Sequence, residues 1–176
     1  MTPRTTAPKG TRKGKGKGDA APAEPKRAKA KRAPAQPMRK TRGGEPAARL
    51  VVKRSRPGMG LGLFATDYFK KGEMIIEYTG KIIPTRKADT LGTKYLFEID
   101  EDWTIDGSPK SNIARYVNHG CNPATNVEAE VDGRHIFYYA ARAIEPGEEL
   151  LVDYGEEYFD EFIKPHGCKC PAHDRA

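Results

Sequence analysis

From residue 50 onward, short runs rich in β-branched and aromatic residues recur along the chain, and turn residues separate each run from the next. The runs cover residues 50–52, 74–78, 81–83, 95–99, 103–105, 127–131, 135–139 and 149–152. Between two of them, Asp132-Gly133 is a strong hairpin signal. Helical patterns are confined to residues 85–90, 112–116 and 156–163. Short strands that alternate with turns predict a mainly β domain and argue against βαβ units.

The first 49 residues differ in composition from the rest of the chain. They contain no Leu, Ile, Val or aromatic residue. Such a segment cannot bury enough apolar surface to offset the entropy lost on ordering. We therefore expect a disordered Lys/Arg/Ala/Pro-rich tail over residues 1–49 and a folded domain that begins at residue 50.

The charge of the chain is divided in the same way. Residues 1–49 carry 15 Lys and Arg against three acids, a net charge of +12, and the remaining residues have a net charge of −5. Basic runs at residues 12–17 and 26–32 are typical of tails that neutralise DNA phosphates, and of nuclear localisation signals. A solvated tail without a partner is the alternative. DNA is thus one expected partner of the tail.

Composition also excludes several classes of protein. No stretch approaches the run of about 20 apolar residues that a membrane span needs. The N-terminus lacks the apolar segment of a signal peptide, so we expect an intracellular protein that is not secreted by that route. Three cysteines are too few for a disulfide scaffold, and they favour metal-binding or structural roles in a reducing compartment.

Four stretches carry residue types that chemistry uses, and each has a structural explanation as well. Glycines at 58, 60 and 62 form either a tight turn or a loop that admits a ligand close to the backbone, but their spacing excludes a dinucleotide fingerprint. The Asn-His pair at 118–119 could take part in chemistry, and its structural explanation is a side chain that caps a turn. Residues 147–155 have the pattern of a strand with a tyrosine, Tyr154, near its end. The cysteines at 168 and 170 favour metal over a disulfide.

The order of these motifs is more informative than any one of them. Along the chain follow Gly60-Leu61-Gly62-Leu63-Phe64-Ala65, Glu77-Tyr78, Tyr95-Leu96-Phe97, Asn118-His119-Gly120-Cys121, Gly147-Glu148-Glu149-Leu150 with Asp153-Tyr154-Gly155, and Cys168-Lys169-Cys170. The series covers about residues 50–170 and resembles a SET domain with a post-SET tail. The resemblance implies small curved sheets with a pseudoknot, and the activity of a protein-lysine N-methyltransferase that uses S-adenosyl-L-methionine. Residues 50–155 would form the SET domain and residues 156–176 the post-SET-like segment.

The resemblance also implies roles for individual residues. The cofactor-binding positions would be Gly60, Leu61, Gly62, Arg115, Tyr116, Asn118 and His119. Among them, the Asn118 side chain would meet the amino group of the cofactor, and the His119 backbone would meet its adenine. Tyr154 matches the catalytic tyrosine beside the transferred methyl group. Tyr95 matches an aromatic residue that lines the channel for the substrate lysine.

A zinc site is the remaining implication of the resemblance. The cysteine of the Asn-His motif, Cys121, would join the tail cysteines Cys168 and Cys170 around one metal ion. The family's third tail cysteine is missing, and His173 lies three residues after Cys170, where it would complete a Cys₃His site. His166 is a second candidate ligand, and a tail without metal is the alternative.

These expectations combine into one leading function and two alternatives. The leading function, which the resemblance implies, is methylation of a lysine on a histone or a histone-like DNA-binding protein. The net negative charge of the domain suits such a substrate, because an acidic domain attracts a basic peptide. The first alternative is a catalytically silent module that binds chromatin or a nucleoid. The second is an enzyme whose own basic tail is its substrate. We expect a monomer without a membrane partner, located in a nucleus, on a chromosome or in a bacterial cytoplasm or nucleoid.

Overall fold

The computed structural model describes residues 28–29 and 46–174, and they form three small β-sheets with short helical turns between them. This architecture confirms the predicted mainly β fold. The strands are β1 Ala28–Lys29, β2 Leu50–Arg54, β3 Leu61–Ala65, β4 Met74–Glu77, β5 Lys81–Pro84, β6 Leu96–Glu98, β7 Trp103–Asp106, β8 Asn118–His119, β9 Val127–Asp132, β10 His135–Ala140 and β11 Leu151–Val152. Every run predicted as a strand contains one, and β1, β3 and β8 are additional.

The smallest sheet is the antiparallel pair of β2 and β3, in which Leu50 lies opposite Ala65. The chain between the two strands was predicted as a glycine turn or ligand loop, but the strand β3 begins within that stretch. Leu63 and Ala65 of β3 are fully buried, whereas Leu61 at its start is exposed. The turn before it is closed by a hydrogen bond of 2.9 Å from the Ser55 N–H to the Gly60 carbonyl.

A four-stranded sheet has the order β1-β6-β7-β5. β6 and β5 each pair with β7 in antiparallel fashion, and β1 pairs with β6 in parallel. Helix α1, Thr85–Ala88, follows β5 and packs its buried Ala88 against Ile83 and Leu96. The predicted helix at residues 85–90 is therefore one turn long.

A five-stranded sheet has the order β4-β10-β9-β11-β8. β9 and β10 form the predicted hairpin, whose turn contains Gly133 at a φ of 59°, in the left-handed region that favours glycine. A 3-10 helix, Ile113–Tyr116, leads into β8, and β8 pairs in parallel with β11. This pairing joins two motifs that lie more than 30 residues apart, because Leu151 lies opposite Asn118 and Val152 opposite His119.

One apolar core connects the sheets, and its fully buried members include Leu63, Phe69, Ile75, Ile136, Ile144 and Leu150. The chain then continues as α2, Glu156–Tyr158, a π-helical turn, Phe159–Ile163, and the 3-10 turns Lys164–His166 and Pro171–His173. Within the part of the chain that the structure describes, no helix is long and apolar enough to cross a membrane.

The predicted tail is only partly covered by the described residues. Most of residues 1–49, including the basic run at 12–17, lie outside them, so the expected disorder and DNA binding stay predictions. The described parts have regular structure: Ala28–Lys29 is a strand, and Pro46–Arg49 is a 3-10 helix. Arg49, the last residue of the predicted tail, contacts the folded domain. Its guanidinium lies 3.9 Å from the centre of the Phe69 ring and donates a hydrogen bond of 2.6 Å to the Glu73 carboxylate.

Candidate active site

A cavity of about 650 Å³ lies where the three sheets and the C-terminal segment meet. One part of its wall is the glycine turn, and another is the stretch from Ala114 to His119. β6, Tyr154, the C-terminal segment and several further aromatic residues also line it. Of the nine catalytic and cofactor-binding residues predicted from the sequence, eight line this cavity: Gly60, Leu61, Tyr95, Arg115, Tyr116, Asn118, His119 and Tyr154.

Gly62, the ninth residue, lies behind the wall. It pairs with Lys53 in the β2–β3 sheet, and a Cβ atom added to it would lie 2.2 Å from Glu149 Oε1. Such a distance is far below any van der Waals contact, so a glycine is required for the Glu149 side chain to fit. Gly60 has a φ of 77°, so at this position the backbone conformation itself favours glycine.

Asn118 is held by two hydrogen bonds from its amide nitrogen. One runs to the Leu61 carbonyl at 3.0 Å, and the other runs to Glu149 Oε1 at 2.8 Å. The second carboxylate oxygen, Oε2, accepts a bond of 2.7 Å from the Ser55 hydroxyl. Since both Asn118 bonds use the nitrogen, the side-chain oxygen is left as an acceptor for a ligand's ammonium group. Sequence reasoning overlooked Glu149 and Ser55, although Glu149 belongs to a motif it singled out.

His119 is only 7% exposed and connects the cavity to the cysteines. Its Nδ1 accepts a hydrogen bond of 3.3 Å from the Tyr154 N–H, and its Nε2 lies 3.2 Å from Cys121 Sγ. Burial lowers the pKa of the His119 imidazole, so the ring is neutral at physiological pH. A neutral ring with Nδ1 as acceptor carries its proton on Nε2, facing the Cys121 sulfur.

Tyr154 projects into the cavity with its hydroxyl fixed. The O–H donates a hydrogen bond of 2.7 Å to the Val117 carbonyl, and the ring meets His119 and Tyr158 edge-on. Burial raises the pKa of Tyr154 far above its usual value, so the phenol stays protonated. With its proton directed at Val117, the oxygen can only accept further hydrogen bonds, and it cannot act as a general base at neutral pH.

Tyr95 and Arg115 form a stacked pair in the wall of the cavity. The Arg115 guanidinium lies 3.6 Å from the centre of the Tyr95 ring and 5.5 Å from that of Tyr116. It also donates a hydrogen bond to the Ser108 carbonyl. A hydrogen bond from Arg115 lowers the pKa of the Tyr95 phenol. Arg115 is thus in contact with both aromatic rings of this wall.

Two buried tyrosines complete the aromatic lining, and sequence reasoning treated both as strand residues. Tyr78 donates a hydrogen bond of 3.0 Å to the Tyr95 carbonyl, and Tyr138 packs edge-on against Tyr78. Burial raises the pKa of both phenols. A period-two strand pattern could have shown that Tyr138 faces inward, but not that it faces a cavity.

A cluster of four potential metal ligands lies beside the cavity. The ligand atoms of Cys121, Cys168, Cys170 and His173 all lie within 4.8 Å of one another, and His166 is not among them. The Cys121–Cys168 sulfurs are 3.9 Å apart, and His173 Nε2 lies 3.3 Å from Cys121 Sγ. Tetrahedral zinc keeps its sulfur and nitrogen ligands about 3.5–3.8 Å apart. The donor set and its dimensions therefore fit zinc.

Without a cation, the surroundings of Cys121 favour its protonated thiol. Burial and the neighbouring sulfurs raise the pKa of Cys121 to about 12, because its thiolate would be poorly solvated and close to other sulfurs. A bound dication reverses this and deprotonates a coordinating thiol. Since Cys168 and Cys170 also line the cavity, a metal here would hold that wall in place.

The fold and the site define a β-rich domain with an aromatic-walled cavity, a fixed amide acceptor and a tyrosine hydroxyl. The family model described as "SET domain" matches residues 60–155. The chain belongs to the SET domain family, and its C-terminal cysteines form a cluster of the post-SET kind.

Curated relatives and solved structures agree with this assignment. The "Histone-lysine N-methyltransferase, H3 lysine-4 specific" of Schizosaccharomyces pombe is 43% identical over 123 residues, which are 64% of this chain and 13% of the relative. The "Histone-lysine N-methyltransferase trr" of Drosophila melanogaster is 39% identical over 124 residues, 64% of this chain and 5% of the relative. This chain therefore spans only a small part of the relatives' lengths. The structure of the Chaetomium thermophilum polycomb repressive complex 2 matches with a TM-score of 0.52 and 28% identity, over 61% of this chain and 15% of that one.

Proposed function

We propose that this chain is a protein-lysine N-methyltransferase that uses S-adenosyl-L-methionine and acts on a basic protein of the histone type. The observation that carries the proposal is the fixed Tyr154 hydroxyl in the same cavity as the Asn118 amide oxygen. The first group suits the reacting amine and the second suits the ammonium of the cofactor. The relatives' names support lysine as the acceptor and histones as the substrate class.

The residues around Asn118 suit the binding of the cofactor. S-adenosylmethionine supplies an electrophilic methyl group on a positively charged sulfur. The Asn118 oxygen would accept a hydrogen bond from the amino group, and its orientation is fixed by the bond to Glu149. Gly60 and Leu61 line the same cavity, and their backbone would contact the methionine part. Arg115, Tyr116 and the His119 backbone would form the remaining contacts.

The aromatic wall suits the neutral amine that methyl transfer requires. A lysine has an unperturbed pKa of about 10.4, so its proton must leave before the nitrogen can attack. Tyr78, Tyr95 and Tyr138 all line the cavity and would desolvate a lysine side chain bound there, which lowers the pKa of an amine. The Tyr154 oxygen would accept a hydrogen bond from this amine and orient its lone pair. Most of the rate enhancement would then come from alignment, without a dedicated base.

The zinc site is part of the proposal, with Cys121, Cys168, Cys170 and His173 as ligands. Its role would be structural, because all four positions of a tetrahedral site are filled by protein. Cys121 follows the Asn-His pair, whereas the other ligands belong to the C-terminal segment. One metal ion would thus attach that segment to the pocket wall next to Tyr154.

The direct test is incubation of the full chain with isotopically labelled S-adenosylmethionine and core histones. We expect label on histone lysines, with S-adenosylhomocysteine released in equal amount. Chromatin or nucleoid binding without any labelled product would favour the silent-module alternative instead. A histone-like substrate would locate the protein in a nucleus, on a chromosome or in a bacterial nucleoid, where the tail's predicted DNA binding would also operate.

A further inference from the structure

The edge of β6 beside the cavity is occupied by a segment of this chain's own N-terminus. Ala28 lies opposite Phe97 and Lys29 opposite Glu98 in a parallel register. On its other side β6 pairs with β7, so among the described strands β1 is the one that covers this edge. An uncovered edge presents unpaired N–H and C=O groups, which is how extended peptides are bound by strand addition.

The edge is next to the reacting groups. Phe97, which pairs with Ala28, lines the same cavity as Leu96, Tyr95 and Tyr154. A peptide strand on this edge would therefore lie beside the cavity. The docked residues belong to the basic run 26–32, which contains Lys26, Lys29 and Lys31.

Charge and chain length both allow the tail to dock on its own domain. The tail carries +12 and the rest of the chain −5, so attraction favours this contact over one between two tails. Sixteen residues separate Lys29 from Pro46, and they can span about 55 Å when extended. A covalent connection of this kind gives an effective concentration on the order of millimolar.

We propose that the basic run 26–32 is an intramolecular substrate of this site, docked on β6 through Ala28–Lys29. The inference rests on the proposed function, since it names one substrate of the same reaction. In the step, the ε-amine lone pair forms an N–CH₃ bond as the S–CH₃ bond of S-adenosylmethionine breaks. S-adenosylhomocysteine leaves, and the proton lost by the lysine ammonium goes to solvent. The docked tail also competes with other protein substrates for the β6 edge.

The test uses the full chain with labelled S-adenosylmethionine, with and without histones, and maps the label by mass spectrometry. We expect label on Lys26, Lys29 or Lys31, at a rate per chain that does not change with protein concentration. The variant K26R/K29R/K31R should lose at least about nine tenths of the self-labelling, because the millimolar local concentration is specific to this run. The matched control K13R/K15R/K17R, in the other basic run, should keep it.

The outcomes separate this inference from the proposed function. Label on histones but none on the chain itself overturns the inference and leaves the proposed function intact. Label spread equally over the runs at 12–17 and 26–32 also overturns it, because docking on β6 is selective. Absence of label from both the histones and the chain overturns the two proposals together.

Docking itself is tested without the cofactor. Successive residues of a strand direct their N–H groups to opposite sides, so the double variant A28P/K29P removes whichever donor faces β6. A fluorescent peptide with the sequence of residues 24–33 should bind this variant at least about tenfold more tightly than the unaltered chain, whose edge is occupied at millimolar effective concentration. The control A20P/A21P should bind the peptide like the unaltered chain. Equal affinity for all three proteins would refute the docking.

Discussion

The Asn118 amide donates a hydrogen bond of 2.8 Å to the Glu149 carboxylate, which lies 31 residues further along the chain. The same carboxylate accepts a bond of 2.7 Å from Ser55 and occupies the space beside Gly62. Glu149 therefore links the glycine turn, the Asn118 strand and the segment leading into β11. Its role is to position Asn118, because the Asn118 nitrogen donates to this carboxylate as well as to the Leu61 carbonyl, and the two bonds together fix the orientation of the amide.

Replacement of Glu149 by alanine should weaken cofactor binding about tenfold or more, the range expected when a buried hydrogen bond to a charged group is lost. Glu149→Gln retains an acceptor for Asn118 and should restore most of the affinity. Calorimetric titration with S-adenosylhomocysteine measures the effect. Glu145→Ala, at an exposed position in the same stretch, is the control and should bind normally. Normal affinity in Glu149→Ala would contradict the positioning role.

Gly62→Ala should destabilise the domain and weaken cofactor binding at the same time. The added methyl group collides with Glu149 Oε1 at 2.2 Å, so the carboxylate must leave Asn118. We expect a loss of about 1–3 kcal/mol of unfolding free energy, as in other overpacked sites. Thermal unfolding of the variant should be compared with that of Gly92→Ala, whose added methyl group meets open space. Identical melting temperatures for the two variants would contradict this prediction, because they would show that the Glu149 side chain moves away from the added methyl group at no cost in stability.

Tyr154→Phe should reduce methyl transfer by about 100-fold or more, comparable to the loss of one hydrogen-bonding group at a reacting centre. Binding of S-adenosylhomocysteine should remain within a few-fold, because the ring still packs on His119 and Tyr158. Turnover of labelled cofactor and calorimetry measure the two effects separately. Tyr68→Phe, at a tyrosine that is 40% exposed and outside the cavity, is the matched control. Full turnover by Tyr154→Phe would exclude the catalytic role.

Methyl transfer should become faster as the pH rises from 7 to 9. The substrate amine loses its proton in this direction, and the raised pKa of Tyr154 keeps its phenol protonated throughout. Tyr95, whose pKa is lowered by its hydrogen bond with Arg115, loses its proton earlier than the buried tyrosines. The resulting phenolate would hold the substrate as ammonium, so any decline at the alkaline end should disappear in Tyr95→Phe. A rate that falls steadily above pH 7 in both proteins would contradict this assignment.

The purified protein should contain one zinc ion per chain, measured by elemental mass spectrometry. His173→Ala should lower zinc affinity by more than about 100-fold, because loss of even an outer-shell partner costs 10–100-fold. His173→Cys should restore binding, since thiolate is an equally good zinc ligand. His166→Ala is the control, because His166 lies outside the cluster. Unchanged zinc content in His173→Ala would identify a different fourth ligand.

Local sequence patterns predicted most of the secondary structure. Alternation of apolar residues marks a strand wherever one face is buried, and Asp132-Gly133 marks its hairpin through a local backbone preference. β3 was overlooked because Gly60 and Gly62 mask its alternation. β8 was overlooked because two residues are too few for a pattern.

The sequence by itself determined the family, the acidic domain, the basic tail and eight of the residues that line the cavity, since ordered motifs and charges are read residue by residue. Only the tertiary structure decided how these parts meet. Glu149 and Tyr138 became site residues because distant strands pair in one register, and Gly62 turned out to make room for a side chain rather than a ligand. The pairing of Ala28–Lys29 with β6 likewise depends on the tertiary structure, because it uses the edge of β6 that β7 does not cover. Such contacts depend on distances between residues far apart in the chain, and no local pattern records them.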